Sequence, residues 1–133
     1  MQLENQVANL VLAQKLKELG VKQESLFYWS SDLIGYSVQY KSYCEQTNGL
    51  NQPFFHAYTV AELGEMLPQY LLVGPYSHNL EIVRSSVWRF YYGRPEGLPL
   101  SDCVYFTAGT DDTEADARAR FFIYLIENKF ITI

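Results

Sequence analysis

Residues Leu80 to Tyr92 read LEIVRSSVWRFYY. Ser85 and Ser86 interrupt an apolar and aromatic run, so the stretch forms two strands around Ser85 or one long bent strand. Side chains alternate across a strand, which sends Val87, Arg89 and Tyr91 to one face and Trp88, Phe90 and Tyr92 to the other. Such a pattern suits a sheet with one buried and one wet face.

Strand and helix signals continue in both directions. Gly93 to Gly97 is a turn-rich loop, and Cys103 to Thr107 reads as the next strand. On the other side, Tyr70 to Val73 is a short strand before a turn at Gly74-Pro75. Thr59 with Glu62 three residues later forms a capping box, so a helix is expected over Val60 to Leu67, stopped by Pro68. Thr113 and Asp116 set a similar start for a helix through Glu127, with Ala115, Ala119, Phe122 and Ile126 on one stripe and Phe121 and Leu125 beside it. Phe130 to Ile133 is expected to finish as an edge strand. Near the N-terminus, Leu10, Ala13, Leu16 and Leu19 fall near helical spacing, with Asn9 or Asn5 as the cap and Gly20 as the left-handed C′ residue. Residues 1 to 8 fit either that helix or an extended arm that pairs with another strand. Ser25 to Trp29 and the alternating Tyr36, Val38 and Tyr40 read as a hairpin turning at Asp32 to Gly35. Glu45 to Pro53 is a polar loop. The order of elements predicts an α+β fold over residues 1–133 as a single domain, with a mainly antiparallel sheet covered on one face by two or three helices.

The chain has 133 residues, a formal charge of −5 and 48% hydrophobic residues, enough apolar content to support one folded core. The negative charge repels polyanions and argues against general nucleic-acid binding. No apolar stretch approaches the roughly 20 residues that cross a bilayer, and the N-terminus lacks the order of a signal peptide. A cytoplasmic protein is expected. Cys44 and Cys103 lie too far apart for a CxxC motif, so buried thiols are expected rather than a disulfide framework. Aromatic residues reach 16%, eleven of them Tyr, which serves half-buried sheets and binding surfaces alike.

No metal spacing, phosphate loop or nucleophile motif is present, so the sequence predicts no catalytic residue, metal or cofactor. His56 and His78 read as a packing residue and a turn residue; an enzymatic role would need one of them to meet a carboxylate or serine in a cleft. The densest binding chemistry is Arg84 to Arg94, where guanidinium groups that can fork onto a phosphate alternate with rings that can stack on a base. The candidate ligand residues are Arg84, Arg89, Tyr91 and Arg94, joined by Tyr28 and Trp29 if their strands are neighbours or a second subunit supplies one. The alternative makes Trp88, Phe90 and Tyr92 sheet core, with Arg89 and Tyr91 on the wet face.

Three segments, LKELGVKQESLFYW from Leu16, YTVAELGEMLP from Tyr58 and EADARARFFIYLIENKFI from Glu114, resemble a family of small, largely uncharacterised bacteriophage and prophage proteins. They cover about a third of the chain. The resemblance implies a phage context and no particular activity. Small phage proteins often inhibit host systems by binding, which gives two expectations. The first is a homo-oligomeric protein that sequesters a nucleotide-derived host immune signal, such as a cyclic nucleotide or a cyclic ADP-ribose-type ligand. The second is a protein-interaction module with an exposed aromatic patch and no small-molecule ligand.

Overall fold

The computed structural model describes residues 2–22, 24–32, 35–40, 54–94, 96–110 and 112–133. The polar loop expected over 45–53 and the thiol of Cys44 lie outside these residues; Cys103 is buried.

Helix α1 (Leu10–Glu18) starts at Asn9, whose side chain accepts the Leu12 amide proton at 3.0 Å. The Asn9 amide itself donates to Asp116 Oδ1 at 2.7 Å, tying the start of this helix to the start of the last one. Gly20 follows with φ of 83°, a left-handed conformation that costs little without a Cβ. Residues 7 and 8 form the extended arm: Val7 bridges Thr59, and the Ala8 amide donates to the Tyr58 carbonyl. Before it, Leu3–Asn5 is a single 3-10 turn.

Strands β1 (Phe27–Asp32) and β2 (Gly35–Tyr40) pair antiparallel as the expected hairpin, with Trp29 opposite Val38. The other edge of β1 takes β3 (Phe54–His56), a strand too short to stand out by periodicity. Helix α2 (Val60–Met66) follows with both capping-box bonds formed: the Glu62 amide donates to Thr59 Oγ1, and the Thr59 amide donates to Glu62 Oε1. Next comes a four-stranded antiparallel meander of β4 (Tyr70–Val73), β5 (Tyr76–Arg84), β6 (Trp88–Tyr92) and β7 (Val104–Thr107). Residues 80–92 are therefore two paired strands, with Arg84 opposite Trp88 and Leu80 opposite Tyr92. Strand β5 begins four residues earlier than its apolar run suggests, since Tyr76 to Asn79 pair with β4.

The architecture is α+β, with antiparallel sheets and three α-helices among the described residues. There are two sheets rather than one, because β2 and β3 occupy both hydrogen-bonding edges of β1. Helix α3 (Glu114–Glu127) packs against α1, α2 and β6. That position buries more than one stripe: Ala115, Ala117, Ala119, Phe121 and Leu125 are fully covered, and Ile126 is only half-buried. The Phe121 ring lies 4.9 Å from Phe90 and 5.9 Å from Tyr92, centroid to centroid, at the centre of the main core. A smaller cluster of Val7, Ala13, Trp29, Val38 and Ala57 backs the three-stranded sheet.

The edge strand expected over Phe130 to Ile133 is corrected. Lys129 takes φ of 62°, its amide donates to Ile126 O at 3.0 Å, and the Phe130 amide donates to Leu125 O at 2.9 Å. Those are the two bonds of a Schellman stop, which turns the chain back over the helix end. No helix among the described residues is long and apolar enough to cross a membrane.

Candidate functional site

Two helix starts and one hairpin end meet around a cleft of about 830 Å³. Thr59, Val60 and Ala61 supply the first turn of α2, and Asp112, Thr113 and Glu114 supply the approach to α3. Arg84, the last residue of β5, and Trp88, the first of β6, form the opposing wall, and Asn5 and Gln6 of the N-terminal segment complete it. Capping residues line this space because both helices begin beside it. The Thr113 hydroxyl accepts the Asp116 amide proton at 3.1 Å, as Thr59 does for Glu62.

The Arg84 guanidinium carbon lies 5.2 Å from the centroid of the Trp88 ring. A cation seated on an indole face is attracted to its quadrupole, and the planar guanidinium keeps its N–H edge available for a ligand. Among the described residues the Arg84 side chain has no ion-pair or hydrogen-bond partner. The carboxylates of the cleft are already paired. Glu114 Oε1 accepts from Arg118 Nη2 at 2.7 Å and Nε at 3.1 Å. Asp112 accepts from Arg120 Nε at 3.0 Å and from the Gly109 amide at 3.0 Å.

The other basic residues of the 84–94 segment lie elsewhere. Arg89 and Tyr91 point to the outer face of the meander, opposite Val83 and Glu81 on β5 and Thr107 and Tyr105 on β7. Arg94 pairs with Glu81 at 3.2 Å. That guanidinium, with help from the Tyr91 hydroxyl, holds the Glu81 carboxyl below its ordinary range. Partial burial, then the bond to Glu81, pushes the Tyr91 phenol up. Tyr28 and Trp29 are buried in the other sheet: Tyr28 packs edge-on against His56 at 4.4 Å, and the Trp29 indole N–H donates to Ala8 O at 2.9 Å. Strands β1 and β6 are not neighbours, so within one chain these two residues do not join the arginines. Of the six candidates only Arg84 reaches the cleft. Trp88, grouped with the core rings by strand alternation, is half-buried in the cleft wall.

His78 sits within β5 rather than in a turn, beside Gly93, where a Cβ would come within 3.2 Å of the imidazole. His56 does meet a serine: its Nδ1 lies 2.8 Å from Ser25 Oγ, at the edge of a separate hollow of about 510 Å³. The Ser25 hydroxyl, however, donates its proton to Phe27 O at 2.6 Å. With its one proton directed to Phe27 O, it accepts from His56 in the Nδ1–H tautomer, the reverse of the polarity that activates a nucleophile. This pair therefore acts as a hydrogen-bonded brace between the start of β1 and β3.

The outer face of the meander carries exposed Tyr70 (66%), Leu72 (75%), Val83 and Tyr105. It is an open aromatic surface beside Arg89, unlike the walled cleft on the helix side.

The capping patterns Thr59-x-x-Glu62 and Thr113-x-x-Asp116 are the sequence signal that marks two walls of the cleft, but which helix starts share a space is decided by tertiary packing. Comparison of the chain with protein-family models, curated proteins and solved structures gives no match.

Proposed function

We propose that this protein is a non-enzymatic binder of a small nucleotide-derived ligand, held in the cleft between the starts of α2 and α3. One observation carries the reading: the Arg84 guanidinium lies over the Trp88 ring in the cleft wall without a carboxylate partner among the described residues. An arginine fixed by an aromatic face is already oriented to fork onto a phosphate, so less side-chain entropy is lost on binding. A volume of about 830 Å³ lies within the range of small-molecule sites. The resemblance to phage proteins supports a biological version of this reading, in which the protein acts in the host cytoplasm as a homo-oligomer that sequesters a nucleotide-derived immune signal.

A second reading, a protein-interaction module, draws on the exposed Tyr70, Leu72 and Tyr105 of the outer sheet face. Native mass spectrometry of the purified chain with a panel of cyclic nucleotides and cyclic ADP-ribose isomers separates the two. A stoichiometric adduct that disappears in Arg84→Ala supports the cleft, and the same spectrum gives the subunit count. An adduct-free spectrum across the panel, with an Arg89→Ala-sensitive partner recovered from infected cells, would replace it by the second reading.

A further inference from the structure

We infer that the cleft selects a singly charged heteroaromatic ligand, one carrying a single phosphodiester-like group, over di- and triphosphates. This rests on the cleft being the ligand site, as proposed above. Three ionisable groups line the cleft among the described residues: Arg84, Asp112 and Glu114. Glu114 is matched by Arg118, four residues along α3, through two bonds to one oxygen. Asp112 is matched by Arg120 and by the Gly109 amide. Each pair is locally neutral, so among the described lining residues the uncompensated charge is that of Arg84. One negative charge on the ligand satisfies it. A second or third finds no further unpaired cation in the described lining, because Arg118 and Arg120 are already engaged by Glu114 and Asp112.

The shape of the site agrees with the charge. The Arg84 guanidinium carbon lies over the Trp88 ring, 5.2 Å from its centroid, which puts a cation for one oxyanion beside an aromatic face for a ring. Val60 and Ala61 offer small apolar surface opposite. The inference separates two ligand classes that an arginine alone cannot tell apart: a cyclic mononucleotide with one phosphodiester fits, and a pyrophosphate-containing cyclic ADP-ribose type carries a charge too many.

The test is isothermal titration of the intact chain, in magnesium-free buffer, with cyclic mononucleotides of the common bases, the matching nucleosides and the matching triphosphates. The expected result is a cyclic mononucleotide that binds about tenfold or more tightly than both its nucleoside and its triphosphate. Glu114→Gln releases Arg118 and adds a positive charge to the cleft, so it should raise triphosphate affinity about tenfold and that of the singly charged cyclic ligand by clearly less, shifting the ratio between them. Tighter binding of the triphosphate to the unmodified chain, lost in Arg84→Ala, would overturn the charge selection while the cleft stands as the ligand site. An unchanged triphosphate-to-cyclic ratio in a folded Glu114→Gln protein would also overturn it. Failure of every probe to bind would overturn both the selection and the cleft reading.

Discussion

Replacing Arg84 by alanine separates a binding arginine from a structural one, because the structure gives this side chain little to do for stability. It is exposed and makes no ion pair among the described residues, and its contact is the Trp88 ring at 5.2 Å. An exposed cation–π contact contributes about 0.5–1 kcal/mol. In a chain of this length that is a fall in Tm of about 2–4 °C. Binding should suffer more. Hydrogen bonds from a charged donor to an anionic ligand contribute about 1.5–3 kcal/mol, so Arg84→Ala should weaken affinity by a factor of about 10 to 150. Arg89→Ala is the paired control, since Arg89 sits five residues on but on the opposite face, across from Val83 and Thr107. Its binding should stay within about twofold of the parent. Titration calorimetry with the best-bound cyclic nucleotide, alongside urea denaturation of each variant, reads both quantities. Equal loss from the two substitutions, or loss from Arg89→Ala alone, refutes the placement of the site.

Three further outcomes follow from the packing. Phe121→Ala removes a fully buried ring stacked on Phe90 and flanked by Tyr92 and Phe106, and should cost about 3–5 kcal/mol in denaturant unfolding. Thr59→Ala removes the acceptor for the Glu62 amide and should cost about 1 kcal/mol, visible as a lower urea midpoint with unchanged slope. Burial raises the phenols of Tyr58 and Tyr92 well above the ordinary value of 10.0, so ultraviolet titration should leave both unionised as the pH passes through the ordinary phenol range. The sign follows from linkage. The unfolded chain loses these protons first, so stability is full below pH 10 and falls as the pH rises through the ordinary phenol range toward the raised folded values.

Much of the fold is legible in the sequence wherever one local device decides the outcome. The capping box at Thr59, the Thr113 cap, Gly20 and the alternation of 88–92 each place an element within a residue or two. What escapes local reading is set by tertiary pairing. Strand β3 is three residues long and exists because β1 has a second edge to fill. Tyr76 to Asn79 carry turn-like residues, yet they extend β5 because β4 lies alongside. The C-terminal residues have strand-forming side chains, but Lys129 in the left-handed region and the Phe130 bond to Leu125 O direct them against the helix end instead. Local propensity loses in each case to a hydrogen-bonding group that must be satisfied.

The candidate site was divided by the same alternation that made its strand recognisable. A run that mixes Arg84, Arg89 and Arg94 with aromatic rings looks like one patch when it is read as composition, but a strand shows only every second residue to a given side. Arg84 and Trp88 face each other across the β5–β6 pair at the helix-covered side, whereas Arg89 and Tyr91 belong to the open side. Arg94, beyond the end of β6, is taken by Glu81. Three arginines within eleven residues therefore serve three environments, and of them Arg84 lies where two helices begin. If a ligand binds this protein through phosphate, the hairpin end at Arg84 offers a cation with no carboxylate partner among the described residues. A basic-aromatic strand should accordingly be split by residue parity before its cations are counted toward one site.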